Sequence, residues 1–168
     1  MSNRRTFAVL GISETKSIFL AKQIAKTNPV LLFDYDAVVL NKVHAQILLE
    51  YPKANAEMMI CPTNASWEAD IIILSNDAGT DDNFIKKIRR VATGKIVLVL
   101  VNEKNTINFE STLDKLQHLF PFSKVVQSFE SMDEVEDPVL LKGNDEETLK
   151  TIWTLFTSIG LKASIAQT

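Results

Sequence analysis

The segment 11–17, GISETKS, is a polar turn that directly follows the apolar run Phe7–Leu10. Gly11 lacks a Cβ and therefore suits a tight turn from a strand into a helix. The first backbone N–H groups of such a helix have no intrahelical partner, so they point outward and can bind a phosphate. Ser13 and Lys16 add a hydroxyl and an ammonium group that could contact the same anion. This spacing predicts an anion-binding turn at Gly11.

The same turn departs from the glycine pattern of dinucleotide-binding sites. Those sites use glycines for the turn, for close approach to the pyrophosphate and for packing helix against strand. Here Gly11 is kept, whereas Ser13, Glu14 and Ser17 stand where further glycines are expected, so the glycine loop is degenerate. Glu14 would repel a phosphate and, near a helix N-terminus, is an internal anion that can occupy the backbone donors. Ser13 and Ser17 fit donation to a phosphate or helix capping, and capping is favoured.

Asp34 is a second candidate, because it follows the apolar run Val30–Phe33 about 20 residues after Gly11,. An acidic residue at this position accepts hydrogen bonds from an adenosine ribose. It would favour NAD over NADP, because it repels the additional phosphate of NADP. The alternative interpretation is a polar strand end that begins a turn, where Asp is also common.

Further polar residues follow two later apolar runs. Ser75 and Asn76 come after Ile71–Leu74, and Asn102 comes after 96–101. In open α/β sheets, ligands bind beyond the carboxyl ends of the strands, near the point where strand order reverses. These side chains could therefore contact the diphosphate, the nicotinamide ribose or the nicotinamide ring. The alternative is that they are the polar loop residues that every such sheet carries.

These candidates depend on alternating apolar runs and helical patterns along the whole chain. This alternation predicts a doubly wound, mostly parallel α/β sheet with helices on both faces, a three-layer α/β/α arrangement of Rossmann-like type. We expect residues 1–168 to form a single domain of this kind, without a separate substrate domain. The predicted strands are 7–12, 30–33, 58–60, 71–74, 96–101, 124–126, 139–141 and 161–165. The predicted helices are 15–27, 37–50, 82–92, 109–119 and 145–159, with a polar loop at 75–81.

Composition limits the classes of function. A net charge of −3 argues against a nucleic-acid or anionic-membrane surface, since both favour clustered Lys and Arg,. One cysteine excludes an intramolecular disulfide, and with only two histidines we predict no metal site,. No apolar stretch approaches the roughly 20 residues that span a bilayer, and because no apolar segment precedes the first strand we expect no signal peptide. We therefore expect a cytoplasmic protein.

Several segments resemble one enzyme family over nearly the whole chain. They are ADIIILSND (69–77), GKIVLVLVN (94–102), KVVQSFES (124–131) and PVLLKGNDEETLKTIWTLFTSIGLKASIA (138–166). The chain resembles the deazaflavin-dependent NADP reductases, which are Rossmann-type proteins related to the 6-phosphogluconate and hydroxyacid dehydrogenases. It differs where the family carries a Ser-Arg pair after the second strand, since Asp34 and Tyr35 stand here. It also stops soon after the last strand, where members commonly continue into helical elements.

The resemblance implies an NAD(P)-binding oxidoreductase-like protein that transfers a hydride through a nicotinamide cofactor, NAD or NADP, to an unidentified acceptor. The alternative is a non-catalytic Rossmann-like module that senses a small ligand or mediates assembly and has lost dinucleotide binding. No catalytic residue can be named from the sequence. Because a short chain of this kind leaves its crevice open, a homodimer is a further expectation. The predicted cofactor-binding residues are Gly11, Ser13, Lys16, Asp34, Ser75, Asn76 and Asn102.

Overall fold

The computed structural model describes residues 4–102, 109–130 and 138–166. They form one sheet covered by helices on both faces. The strands are β1 (Phe7–Leu10), β2 (Val30–Phe33), β3 (Ala56–Met58), β4 (Ile71–Leu74), β5 (Ile96–Asn102), β6 (Lys124–Glu130), β7 (Val139–Gly143) and β8 (Ala163–Ile165). The helices are α1 (Thr15–Ala25), α2 (Ala37–Glu50), α3 (Pro62–Glu68), α4 (Asn76–Thr80), α5 (Asp82–Ile88), α6 (Phe109–Leu119) and α7 (Glu146–Ser158).

The strand order of the sheet is β3-β2-β1-β4-β5-β6-β7-β8. All neighbouring strands are parallel except β6 and β7, which are antiparallel. The strand order reverses between β1 and β4, so the switch point of the sheet lies where Leu10 and Leu74 pair. The predicted doubly wound, mostly parallel α/β fold is therefore confirmed.

The three layers follow from the way side chains alternate along buried strands. On β1, Val9 packs into the core that includes residues of α1, α2 and α7, and Ala8 packs into the core that includes residues of α3, α5 and α6. All four residues of β1 are buried, as are those of β2 and β4. A continuous apolar run is what a strand needs when helices cover both of its faces. Within the described part of the chain, no helix is long and apolar enough to cross a membrane.

Several local predictions need correction. The third strand is Ala56–Met58 rather than 58–60, and α3, which the sequence analysis missed, begins with Pro62 at its first position, where proline is favoured,. The predicted polar loop 75–81 contains the short helix α4. The Ser75 hydroxyl caps this helix by accepting a hydrogen bond from the N–H of Ala78,. The helix predicted at 82–92 ends at Ile88.

Candidate functional site

The turn after β1 is built around a glycine in a left-handed conformation. Gly11 has φ +87°, and a Cβ at this position would lie 2.2 Å from Ser75 Oγ. The N–H of Gly11 donates to the carbonyl of Phe33 (2.8 Å), and the N–H of Ser75 donates to the carbonyl of Leu10 (3.0 Å). The tight turn expected at Gly11 is therefore present. A glycine is required there by both its backbone angle and the close approach of the β4–α4 loop.

Helix α1 begins at Thr15 without a side-chain cap. Its N-cap residue is Glu14, which has an extended backbone and whose carboxylate accepts no hydrogen bond from α1. Ser17 is buried and its hydroxyl donates to the carbonyl of Glu14 (2.9 Å), whereas Ser13 is exposed. The prediction that Ser13 and Ser17 cap this helix is therefore wrong. The first turn of α1 thus leaves backbone donors that no side chain of the N-cap satisfies.

The Glu14 carboxylate reaches across to a different helix. Its Oε2 accepts from the N–H of Asn76 and its Oε1 from the N–H of Asp77, each at 3.1 Å. These two residues open α4, which follows β4. Glu14 is thus an internal anion, as expected, but it satisfies the N-terminus of α4 instead of α1. We call this contact the Glu14 bridge; it joins the two loops on either side of the switch point.

Asp34 also uses its carboxylate to hold backbone. Its Oδ2 accepts from the N–H of Ile12 (2.9 Å) and its Oδ1 from the N–H of Asp36 (2.8 Å). These contacts fit the interpretation of a polar strand end that begins a turn. Each carboxylate oxygen still has a second lone pair, because an ionised carboxyl group has about four acceptor positions. Contact with a ribose stays a prediction.

The remaining predicted residues are distributed around this crevice. Ser75 is almost fully buried, and its hydroxyl caps α4. Asn76 is also buried and donates its N–H to Glu14. The ammonium of Lys16 lies 5.7 Å from the centroid of the Phe19 ring. Asn102 is the last residue of β5 and is the register partner of Glu130 in β6, but its side chain lies outside the described part of the structure.

A cleft of about 160 Å³ opens between the loop that follows β1 and the loop that follows β4. It brings together four predicted residues, while Lys16 and Asn76 do not line it. This volume is below the roughly 300–1,000 Å³ of ordinary small-molecule pockets. The lining residues are Gly11, Ser13, Phe33, Asp34, Tyr35, Ser75, Asp77, Ala78, Asp81 and Phe84.

Three aromatic rings along this cleft escaped sequence reasoning. The ring centroids of Phe33 and Tyr35 lie 5.2 Å apart, those of Tyr35 and Phe84 lie 5.8 Å apart, and both pairs are edge-to-face. The ammonium of Lys87 donates to the Tyr35 hydroxyl at 3.1 Å, and this hydrogen bond raises the pKa of Lys87. Phe33 ends β2 and Tyr35 follows it after Asp34. The sequence Phe-Asp-Tyr at this strand end was the signal that could have indicated aromatic rings at the cleft.

The cleft is negative. Asp34, Asp77 and Asp81 line it, Glu14 lies beside it, and none of its described lining residues is a Lys or Arg. Asp81 caps α5 by accepting from the N–H groups of Asn83 (3.0 Å) and Phe84 (3.2 Å). Carboxylates in this arrangement repel a diphosphate by Coulomb's law. Over the residues that the structure describes, no group of three or more His, Cys, Asp or Glu side chains could hold a metal ion.

Comparison with known proteins supports the fold. No protein-family model and no curated protein sequence matches the chain. Among solved structures, a candidate F420-dependent NADP reductase from Arthrobacter sp. FB24 superposes with a TM-score of 0.75 at 20% identity, covering 96% of this chain and 83% of that chain. A variant of an imine reductase from Myxococcus stipitatus, in complex with NAD+, superposes with a TM-score of 0.71 at 12% identity. This match covers 96% of this chain and 54% of the imine reductase. The 3-hydroxyisobutyrate dehydrogenase of Mycobacterium tuberculosis superposes with a TM-score of 0.70 at 13% identity, covering 96% of this chain and 54% of the dehydrogenase.

These similarities confirm the Rossmann-type fold that the sequence resemblance implied. The chain spans about half the length of the imine reductase and of the dehydrogenase. Sequence identities of 10% to 20% establish shared architecture and leave chemistry to the residues of the site,.

Proposed function

We propose that this chain binds a nicotinamide dinucleotide, NAD or NADP, at the switch point and is an oxidoreductase-like protein. The turn from β1 into α1 carries this proposal. Gly11 leads at positive φ into an 11-residue helix that has no N-cap side-chain bond. A helix N-terminus at the switch point of an open parallel sheet is where such folds bind a diphosphate. Solved structures of the same fold include proteins named for NADP or bound to NAD+.

The proposed binding residues divide along the crevice. Gly11, Ser13 and Lys16, with the first turn of α1, would contact the diphosphate. Asp34 would accept from the adenosine ribose. A bound nicotinamide supplies hydride transfer, and the protein's part is to orient it and exclude water. At the carboxyl ends of β4 and β5, the residues proposed to contact the nicotinamide half are Ser75, Asn76 and Asn102.

The Glu14 bridge favours a second candidate function. It uses two backbone donors beside the crevice for a carboxylate of the chain itself. Together with the carboxylates of Asp34, Asp77 and Asp81, it does not fit a diphosphate at the α4 side of the cleft. The second candidate is therefore a non-catalytic Rossmann-like module that senses a small ligand or mediates assembly.

Calorimetric titration of the whole chain with NAD+, NADH, NADP+ and NADPH separates the two candidates. We expect saturable heat with at least one of the four nucleotides. The absence of heat and of any thermal protection at millimolar nucleotide would overturn the first proposal and favour the second. Millimolar nucleotide is concentrated enough to decide the question, because it detects dissociation constants up to about 1 mM, which correspond to only about 4 kcal/mol of binding free energy.

Two variants test the assignment of the ribose contact. Asp34→Asn keeps an acceptor for the N–H of Ile12 but removes the charge, so it should weaken NAD+ binding more than NADP+ binding. Glu68→Gln removes an exposed carboxylate on α3 and is the matched control. If Asp34→Asn weakens both nucleotides equally, Asp34 does not contact the ribose.

We extend the proposal to the setting of the chain. Residues 1–168 form one Rossmann-like domain, and the protein acts in the cytoplasm on a small molecule. A homodimer is a further part of this proposal. Light scattering tests this point, because the measured mass should approach twice that of the single chain as concentration rises, and a constant single-chain mass over the whole range would exclude the dimer.

A further inference from the structure

A cavity of about 890 Å³ lies at the amino ends of the parallel strands, which is the end of the sheet opposite the crevice. The residues just before β1, β4 and β5 and the first residue of β6 line it. Because β7 runs antiparallel to β6, the chain leaves β7 at this same end, and the first turns of α7 complete the wall. We call it the amino-end cavity; its volume is within the usual range for small-molecule sites,.

The charges that line the amino-end cavity are mostly positive. They belong to Arg4, Arg5, Lys95 and Lys124 and to the carboxylates of Asp70 and Glu147. The four cations come from three distant parts of the chain, so the sequence shows no cluster, and the parallel strands bring them to one edge. The cleft at the carboxyl ends of the strands is negative. The molecule therefore has a positive and a negative end, although its net charge is only −3.

Arg4 and Arg5 stand on backbone that the sheet holds in place. The N–H of Thr6 donates to the Asp70 carboxylate (2.8 Å), and the N–H of Asp70 donates to the carbonyl of Thr6 (2.8 Å). The amide of Asn28 donates to the carbonyl of Arg5 (3.1 Å). Both arginines are exposed, but these contacts fix the backbone from which they enter the cavity.

The two guanidinium groups have the most donors available for a ligand. Within the described ranges, neither Arg4 nor Arg5 forms a side-chain hydrogen bond or an ion pair. The Lys95 ammonium donates to the carbonyls of Ser66 and Trp67 at the end of α3, and it keeps one of its three donors,. The arginines are thus the main anion-binding groups, and Lys95 can add one contact.

Lys124 supplies a cation on the other side of the cavity from the arginines. It begins β6, and the strands β4 and β5 lie between β6 and β1. At roughly 4.8 Å per strand, the backbone positions on the two sides are about 14 Å apart. Lys124 lies 3.9 Å from Asp145, and both side chains are about half exposed, so this ion pair is weak,. A ligand with two or more anionic groups can therefore use both sides.

We propose that the amino-end cavity binds a small molecule that carries two or more phosphate groups. One phosphate group pairs with Arg4 and Arg5, because the planar fork of a guanidinium matches two phosphate oxygens. A second pairs with Lys124 and with the remaining donor of Lys95. The Glu147 carboxylate lines the same cavity and lowers the affinity. The site goes beyond the proposed function, because it lies at the other end of the sheet and includes none of the residues assigned to the dinucleotide.

The probe is inorganic tripolyphosphate, titrated by calorimetry into the whole chain at low ionic strength. We expect saturable binding that is about tenfold tighter than that of orthophosphate, which has one phosphate group and forms fewer ion pairs. Replacing both arginines, by Arg4→Gln and Arg5→Gln, should weaken tripolyphosphate binding about tenfold, because each exposed ion pair contributes up to about fivefold. Since both side chains are exposed, the double variant should keep the Tm of the wild type.

A second arginine pair provides the matched control. Arg89 and Arg90 are also adjacent and exposed, and they lie outside the amino-end cavity. Arg89→Gln with Arg90→Gln therefore removes the same charge from the chain and should change the affinity for tripolyphosphate by less than about twofold.

Glu147→Gln tests the same cavity with the opposite sign. It removes an exposed carboxylate from the lining, so tripolyphosphate should bind about two- to fivefold more tightly,. Glu57→Gln removes an exposed carboxylate from β3, outside the cavity, and is the control. Equal affinities for Glu147→Gln and Glu57→Gln would contradict the proposed position of the anion.

Three further results would overturn the proposal. They are absence of tripolyphosphate binding by the folded chain, equal losses for the two arginine pairs, and a loss for Lys16→Met as large as that for Arg4→Gln with Arg5→Gln, since the anion would then lie at α1. A fall in the light-scattering mass on adding tripolyphosphate would also overturn it, because the negative end of a second copy would then occupy the cavity. If no nucleotide binds at all, the tripolyphosphate titration is unaffected, so failure of the proposed function and failure of this inference are distinguishable.

Discussion

Replacing Glu14 by alanine should destabilise the protein by about 2 kcal/mol. The substitution removes both hydrogen bonds of the Glu14 bridge, to the N–H groups of Asn76 and Asp77. A hydrogen bond to a charged group contributes about 1.5–3 kcal/mol. At 3.1 Å both bonds are longer than the roughly 2.7–2.9 Å of strong charge-assisted bonds, and Glu14 is only partly buried, so about 1 kcal/mol each is the better value,.

Thermal and urea unfolding measure this change. For a chain of this size, about 2 kcal/mol corresponds to a decrease in Tm of about 4–8 °C. Glu14→Gln keeps one acceptor oxygen and should lie between the wild type and Glu14→Ala. Glu68→Ala removes an exposed carboxylate elsewhere and should change stability by less than about 0.5 kcal/mol. The reasoning fails if Glu14→Ala is no less stable than Glu68→Ala, since the bridge would then contribute nothing in solution.

Three further predictions concern other parts of the fold. Gly11→Ala should cost about 2–4 kcal/mol in urea unfolding, from positive φ and collision with Ser75,. Because Ser75→Gly also removes the cap of α4, the collision is measured as a difference: Gly11→Ala should cost at least about 1 kcal/mol less in a Ser75→Gly background than in the wild type, and an equal cost in both would contradict the collision,. Gln127→Met should raise the free energy of unfolding by about 1–2 kcal/mol, measured in guanidinium, because within the described residues the buried amide of Gln127 has no hydrogen-bond partner,. A lower free energy of unfolding in the variant would show that the amide has a partner. Hydrogen bonds from Thr148 lower the pKa of Asp145 in the folded chain. The stability advantage of the wild type over Asp145→Asn should therefore be complete above pH 3.8, the ordinary pKa of the group, and should disappear as the pH falls through the folded pKa,. A difference in stability that does not change with pH would contradict this.

The fold was predictable because its signals are local and repeated. Each of the central strands is a short, continuous apolar run, and helical patterns separate these runs. Residues 62–68 were missed because a seven-residue helix shows too few turns for a clear periodicity, and its initial Pro62 also reads as a break,. Residues 76–80 were assigned to a loop because Asn, Asp, Gly and Thr have low helix propensity. Their helix depends on Ser75 and on contacts distant in sequence.

The site was predictable in its location but not in its connections. The strand ends place Gly11, Asp34 and Ser75 at one cleft, as the parallel topology requires,. The hydrogen-bond partners of the carboxylates could not be inferred from the sequence. The Glu14 bridge joins Glu14 to Asn76 and Asp77, which lie 62 and 63 positions further along the chain. Local sequence predicted that Glu14 acts at α1, whereas tertiary packing brings α4 within reach. The role of Tyr35 depends in the same way on Phe84 and Lys87 from α5.

The Glu14 bridge links the stability of the chain to its proposed affinity for a dinucleotide. If a diphosphate takes the N–H groups of Asn76 and Asp77, the bridge must break on binding, and its free energy is subtracted from the binding free energy. A thermodynamic cycle then requires Glu14→Ala to gain in affinity what it loses in stability, so about 2 kcal/mol of lost stability corresponds to about 30-fold tighter binding. If the diphosphate sits at α1 with the bridge intact, the gain is only the relief of charge repulsion, which is smaller and falls with added salt. A gain that equals the stability loss and is independent of salt would place the anion at α4, and a small, salt-dependent gain would place it at α1.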